Sequence, residues 1–171
     1  SRRDWLLSDR PVSRTQARLG RAYMTWLRFT SNRLAVVGLV IILALVLWLR
    51  PDGLLSWPRR GPALWFAGTA IYPFLSAWPQ EVVYRVFFFH RYRALFPHPA
   101  ALALANALAF AMLHTVYPNA VAPLLSLPAG LLLARTYQRS PSLGPVWIEH
   151  VVYGTLLFTL GLGDFFYDGR P

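Results

Sequence analysis

The stretch WPQEVVYRVFFFHRY, from Trp78 to Tyr92, places Glu81 and Arg85 inside a segment that is otherwise apolar enough to lie in a membrane. The two residues are four apart, so a helix puts them on one side, where the arginine can pair with the carboxylate and keep it ionised. Ionisable residues at membrane depth are costly and mark functional sites by default. The stretch therefore predicts a membrane helix with a polar site. A buried ion pair that only holds helices together is the alternative.

The composition is that of a membrane protein. Of the 171 residues, 56% are hydrophobic and 15% are aromatic, whereas an average soluble domain has roughly 45–50% apolar residues. The sequence has no cysteine, which excludes disulfides, thiolate metal sites and a cysteine nucleophile.

The positive charge is concentrated at the N-terminus. The net charge is +10, and the arginines before residue 34 are followed at once by a hydrophobic run without a signal-cleavage site. The rule that cytoplasmic segments are basic explains this pattern better than nucleic-acid binding does. We expect membrane lipid and no nucleic acid as a partner, and a multi-pass membrane protein with its N-terminus in the cytoplasm. Attraction to anionic lipid is compatible with this.

Apolar runs predict an all-α, polytopic transmembrane helical bundle of about five spans. The runs cover residues 34–49, 63–89, 100–117, 120–134 and 143–162. The expected organisation is a basic cytoplasmic arm (1–33), an N-terminal transmembrane anchor (34–49), a linker loop rich in proline and glycine (50–61) and a functional core (62–171).

Polar groups from three of the predicted helices lie at similar depth. With a rise of about 1.5 Å per residue, Glu81, His114 and His150 each fall within about 6 Å of the midplane of a hydrocarbon core about 30 Å thick. This agreement predicts one shared site. For His114 the alternative is an interfacial histidine near the outer boundary, and for Glu149 it is a residue that caps or orients a neighbour.

Spacings of four residues support a shared inward face. Asn106, Phe110 and His114 repeat at this interval, which places an amide and an imidazole on one stripe of a helix. His150 and Gly154 form another pair at this interval, and the glycine leaves space where a side chain could fill the site.

Three motifs carry a resemblance to a known family. QEVVYR (80–85), FAMLH (110–114) and HVVYG (150–154) resemble, in order, the EExxxR, FxxxH and HxxxN pattern of the CPBP family of intramembrane endopeptidases. That family includes type II CAAX prenyl proteases and bacteriocin-immunity-type proteins. The resemblance covers about residues 62–169. It implies an intramembrane protease core that hydrolyses a peptide bond of a membrane-associated or prenylated-type protein.

The sequence departs from this pattern at two positions. In the family the first glutamate of the pair is assigned to water activation, and here that position is Gln80; the final asparagine of the pattern is Gly154. A glutamine cannot take a proton, and general-base catalysis contributes about 10²–10⁴ in rate. Either Glu81 takes the role, which we favour, or Glu149 does, or the protein is a weak or inactive enzyme.

The resemblance implies two chemical schemes that the sequence does not separate. Without metal, Glu81 with His114 would activate water, His150 would stabilise the oxyanion, and Arg85 would orient Glu81. With metal, Glu81, His114 and His150 would bind a divalent ion such as zinc and leave a position for water. The expected supporting residues are Gln80, Asn106, Phe110, Glu149 and Gly154, with Gln80 or Asn106 as an amide donor.

Two further function classes remain open at this point. A pseudoprotease would bind a membrane partner or lipidated peptide without turnover, as Gln80 and Gly154 suggest. A transporter fragment is suggested by WLRFTSNRLAVVGLVIILALVL, Trp26 to Leu47, because residues 1–48 resemble the N-terminal arm and first span of a dipeptide or oligopeptide ABC transporter permease. Together with the core resemblance, this indicates a fusion. The oligomeric state is not predicted.

Overall fold

The computed structural model describes residues 2–8, 11–31 and 33–167, and within these ranges the chain is helical with no strand. The α-helices of this part of the chain are α1 (Arg2–Leu6), α2 (Arg14–Thr30), α3 (Arg33–Leu49), α4 (Ser56–Arg60), α5 (Pro62–Tyr72), α6 (Trp78–Glu81), α7 (Phe88–Tyr92), α8 (Pro99–Leu113), α9 (Val121–Arg139) and α10 (Leu143–Leu160). Short 3-10 turns cover Pro51–Gly53, Arg93–Leu95, His114–Val116 and Gly163–Phe166. The predicted all-α fold is confirmed.

Helices α5, α6 and α7 form one helical path over residues 62–92, interrupted by π-helical stretches at Pro73–Ala77 and Val82–Phe87. Proline lacks a backbone N–H and disturbs a regular helix. The carbonyl of Pro73 instead accepts bonds from the Trp78 backbone N–H and, at 2.7 Å, from the Trp147 indole Nε1. Wider turns on both sides of α6 set the rotation of Glu81 relative to the flanking helices.

The described helices present an apolar exterior. Met112 and Phe66, for example, are 71% and 70% exposed. Two of these helices are long and apolar enough to cross a membrane, over Pro99–Val116 and Leu143–Leu160, and Val36–Leu49 is a shorter apolar helix. Exposed apolar surface around buried charge is the pattern of a helical membrane protein. The number of five spans stays a prediction.

The permease-like helix α3 packs directly on α9 and α10. Val46 of α3 is fully buried, and Gly38 lies against the phenol ring of Tyr153, so closely that a side chain at residue 38 would overlap the ring. The predicted anchor is therefore part of the helix packing around the core. That core contains Phe110, Leu133, Val146 and Tyr153.

The segment 50–61 differs from the expected loop. It contains the Pro51–Gly53 turn and helix α4, and it is held by Asp164, which follows α10. The Asp164 carboxylate accepts hydrogen bonds from Arg50 at 3.1 Å, from Arg60 at 3.1 Å and from the Trp57 indole at 2.8 Å. Arginines in this segment therefore have a tertiary partner that residue composition alone does not reveal.

Candidate active site

Glu81 and His150 form the centre of the site. The carboxylate of Glu81 is fully buried, and its Oε1 lies 2.7 Å from Nδ1 of His150 on α10. A carboxylate only accepts, so Nδ1–H of His150 is the donor, and in a neutral ring the unprotonated nitrogen is Nε2. Glu81 thus fixes both the orientation and the tautomer of His150.

Arg85 ties Glu81 to helix α8. Its Nε lies 3.2 Å from Glu81 Oε2, which is an ion-pair distance, although the two groups are not aligned for a hydrogen bond. Its Nη1 donates a hydrogen bond to Asn106 Oδ1 at 2.5 Å. The guanidinium also stands 5.0 Å from the centre of the Phe110 ring. Asn106 in turn donates to the Tyr84 carbonyl. Both ends of the Asn106 amide are therefore occupied.

Glu149 completes this buried polar layer. It is fully buried, and the hydroxyls of Tyr153 and Thr136 hydrogen-bond to its carboxylate, the former at 2.7 Å. It also interacts electrostatically with Arg85 and Glu81. We call Glu81, Arg85, Asn106 and Glu149 the buried polar cluster. None of the four lines the cavity described next.

His114 is held at the end of α8, where the helix tightens into a 3-10 turn. Its Nδ1 lies 2.9 Å from the carbonyl of Phe110, which can only accept, so Nδ1 again carries the proton and Nε2 is the free nitrogen of a neutral ring. The centroid of the His114 ring lies 4.9 Å from that of Phe110, and the Phe110 ring in turn lies 5.5 Å from that of His150.

A cavity of about 130 Å³ lies beside these two histidines. Its wall includes His114, His150, Gln80, Tyr72 and Gly154. The volume is large enough for several water molecules, and imidazole, amide and phenol groups could hydrogen-bond to them.

A polar stripe on the helical path from α5 to α6 forms one side of this cavity. Tyr72, Ser76 and Gln80 are spaced by four residues, and all three line it. Gln80 Nε2 donates to Ser76 Oγ at 2.9 Å, while Gln80 Oε1 has no hydrogen-bond partner among the described residues. Gln80 thus faces the cavity, and its neighbour Glu81 faces α10.

The three residues predicted to hold a metal do not fit one. Glu81 Oε1 accepts a hydrogen bond from Nδ1–H of His150. As metal ligands, this oxygen and this imidazole would both point at the ion, but here they are bonded to each other. Within the described residues no group of three or more His, Asp or Glu side chains is placed to hold a metal ion. We therefore derive no catalytic step through a metal.

Fold and site together define a helical membrane protein with a buried carboxylate–imidazole pair beside a small cavity. Residues 62–156 match the family model described as Type II CAAX prenyl endopeptidase Rce1-like. This match covers more than half of the chain, and the protein belongs to that family of intramembrane proteases. Residues 21–49 match the N-terminal TM domain of oligopeptide transport permease C. No curated protein and no solved structure matches the chain.

The structure brings together most of the residues singled out in the sequence, although in two layers. His114, His150, Gln80, Phe110 and Gly154 line the cavity, and the buried polar cluster lies behind them. The sequence interpretation missed several lining residues, namely Tyr72, Ser76, Tyr117, Ser126 and Phe166. The spacing of Tyr72, Ser76 and Gln80 was the available signal for two of them. Catalytic roles for all of these residues stay predictions.

Proposed function

We propose that the protein is an intramembrane endopeptidase that hydrolyses a peptide bond of a membrane-associated or prenylated-type protein substrate. The observation that carries the proposal is the 2.7 Å bond between Glu81 and His150 at the wall of a cavity that His114 also lines. A buried carboxylate that orients an imidazole toward a water-sized space is a general-base arrangement. Family membership supports the same chemistry.

In this mechanism His150 is the base and Glu81 its positioning residue. Nε2 of His150 takes a proton from a cavity water as the water oxygen bonds to the substrate carbonyl carbon, and the carbonyl electron pair moves to oxygen. The carbon–nitrogen bond then breaks, and the proton passes from Nε2 to the leaving amine. Glu81 stabilises the imidazolium that forms between these steps. The free nitrogen of His114 positions the water.

This assignment changes the roles suggested by the sequence. Glu81 is separated from the cavity by His150, so direct activation of water by Glu81 is replaced by activation through the imidazole. Asn106 is occupied by Arg85 and by a carbonyl, which removes it as an amide donor to the substrate. Arg85 keeps the suggested role beside Glu81, where it orients the carboxylate.

We place the protein in the bacterial cytoplasmic membrane with its N-terminus in the cytoplasm. In α2, Arg14, Arg18 and Arg21 are exposed, and the helix packs near the start of α10 through Thr25 and Gly144. A basic helix at this end supports a cytoplasmic, lipid-contacting arm.

The test is cleavage of an internally quenched hydrophobic peptide library by the purified protein in detergent. We expect His150→Asn to lose at least about 10²-fold in kcat, because asparagine keeps a donor near Nδ1 but removes Nε2. Glu81→Gln should lose activity as well, and His98→Asn, an exposed control, should not. A chelator should leave the rate unchanged. Full activity in His150→Asn would contradict the mechanism.

A non-catalytic binding protein is the second candidate, and the position of Gln80 favours it. Gln80 occupies the cavity wall with an unpartnered amide oxygen, where a carboxylate would act as base. If the parent protein binds peptides without product and Gln80→Glu alone cleaves them, the site is a protease site inactivated by one amide. Cleavage by the parent rejects this candidate.

A further inference from the structure

We propose that the Tyr72 hydroxyl is the hydrogen-bond donor to the oxyanion in this cavity, in the space that a side chain at residue 154 would otherwise fill. The inference rests on the proposed peptide hydrolysis and assigns a catalytic residue to it. Neither the motifs nor the charged residues of the sequence indicate this tyrosine, which lies in an apolar run at the end of α5.

The first observation is steric. The phenol ring of Tyr72 lies so close to the α-carbon of Gly154 that a Cβ built there would overlap the hydroxyl and the ring carbons next to it. Gly154 is the position at which the family pattern has an asparagine, one helical turn after His150. A phenol O–H from α5 therefore occupies the volume in which an amide from α10 would otherwise end.

The second observation concerns hydrogen bonding. Tyr72 lines the cavity, and no described residue accepts a hydrogen bond from its hydroxyl. A hydroxyl in an apolar environment gains a partner whenever one is available. Its ring stands edge-on to His150, with centroids 6.1 Å apart and planes at 77°. The donor and the proposed base thus act on the same space.

Several other donors in or beside the cavity wall already contact protein groups. Tyr153 donates to Glu149, Gln80 Nε2 donates to Ser76, and the Arg85 guanidinium lies against the Phe110 ring outside the lining residues. Peptide hydrolysis needs a donor where charge develops on the carbonyl oxygen. Tyr72 has its donor free for that purpose.

Tyr117 provides a matched control. It also lines the cavity, but its ring packs against His114 and Phe166, with centroids 6.2 Å and 5.8 Å away, rather than against His150 and Gly154. Tyr72→Phe and Tyr117→Phe each remove one phenol hydroxyl from the cavity, but at different positions. A general effect of polarity would therefore appear equally in both variants.

The experiment compares steady-state cleavage by the parent, Tyr72→Phe and Tyr117→Phe in detergent. We expect Tyr72→Phe to lower kcat by about 10²-fold, the scale for one oxyanion donor, with KM nearly unchanged. Tyr117→Phe should stay within a few-fold of the parent. A loss confined to KM, or equal losses in both variants, would overturn the proposal.

A swap tests the shared volume. Gly154→Asn alone should lose activity because the new side chain overlaps Tyr72, and Tyr72→Ala alone should lose it because the donor is gone. Combining Tyr72→Ala with Gly154→Asn should recover at least about tenfold over Tyr72→Ala, since the amide then has both the space and the donor. Unfolding temperatures check that Tyr72→Ala and the double variant are folded. If both are folded and the double variant recovers no activity, the assignment is contradicted.

A binding measurement separates this inference from the proposed function. If the parent does not cleave, a peptidyl phosphinate, which mimics the tetrahedral anion, is compared with the matching peptide amide. Tyr72→Phe should then weaken phosphinate binding about 10²-fold and leave amide binding unchanged. In that outcome the hydrolase proposal fails while the Tyr72 assignment stands. Equal weakening of both ligands, or of neither, would reject Tyr72 as the donor.

Discussion

The buried polar cluster and the cavity wall lie side by side in one helical bundle, but they differ in how their polar groups are partnered. In the cluster, Glu81, Arg85, Asn106 and Glu149 contact one another or neighbouring protein groups, and none lines the cavity. On the wall, His114 and His150 each use Nδ1 in a bond to protein and keep Nε2 free. Charged groups deep in the bundle are thus partnered within the protein, while the unbonded imidazole nitrogens belong to residues that line the cavity.

This difference explains why neighbouring residues in one motif have different tasks. Gln80 faces the cavity and Glu81 faces α10, as expected for successive helical residues about 100° apart around the axis. In the proposed mechanism the Glu81 carboxylate then acts through His150 instead of contacting substrate. Substitutions in the cluster should therefore affect folding first, and substitutions on the wall should affect activity alone.

The largest expected effect on the cluster comes from Arg85→Met. It leaves the Glu81 carboxylate and the Asn106 carbonyl oxygen without their cation at a fully buried site, and we expect a loss of about 3–5 kcal/mol in unfolding free energy. Denaturant unfolding in detergent measures it. The exposed Arg91→Met is the control, with little change expected. Equal stability of both variants would remove the distinction between cluster and wall.

On the wall, His114→Asn should show the opposite behaviour. Asparagine can still donate to the Phe110 carbonyl but has no counterpart of Nε2 to position the water, so kcat should fall by about 10²-fold. The unfolding midpoint should stay near that of the parent. Parallel cleavage and unfolding assays check this. If stability falls as far as in Arg85→Met, His114 belongs with the structural cluster instead.

Tyr153 joins the two regions, because its ring lines the cavity and its hydroxyl donates to Glu149. Gly38→Ala should displace it, since a Cβ at residue 38 overlaps the phenol, and overpacking of this kind costs about 1–3 kcal/mol. Gly68→Ala is the matched control: its Cβ meets no atom within 4 Å, and alanine favours the helix. Thermal unfolding distinguishes the two. Equal midpoints would show that α3 does not constrain Tyr153.

The smallest effect should come from outside both regions, at Asp164. Its partners Arg50 and Arg60 are substantially exposed, so Asp164→Asn should cost only about 0.2–1 kcal/mol, and salt should reduce the difference. Unfolding at low and high ionic strength measures it. A loss comparable to that of Arg85→Met would mean that this exterior ion pair supports the bundle as strongly as the buried one.

Much of the site was predictable because its chemistry conflicts with its surroundings. Glu81, Arg85 and His150 stand out in apolar runs. Burying such residues in a membrane costs free energy, and polar partners inside the protein are needed to offset that cost. Spacing of four residues also indicated the stripe of Asn106, Phe110 and His114, all of which are buried. Tyr72 shares such a spacing with Ser76 and Gln80, but nothing in the sequence shows that Gly154 lies opposite Tyr72.

The sequence by itself determined that the protein is a helical membrane protein, which polar residues must find partners inside it and to which family the motifs point. The length of the apolar runs and the free-energy cost of an unpaired buried charge can both be assessed from short stretches of sequence. Only the tertiary structure decided which of Gln80 and Glu81 faces the cavity, that His150 stands between Glu81 and that space, and that Tyr72 fills the place beside Gly154. Those choices depend on how each helix is rotated against its neighbours, which π-helical turns and interhelical packing set.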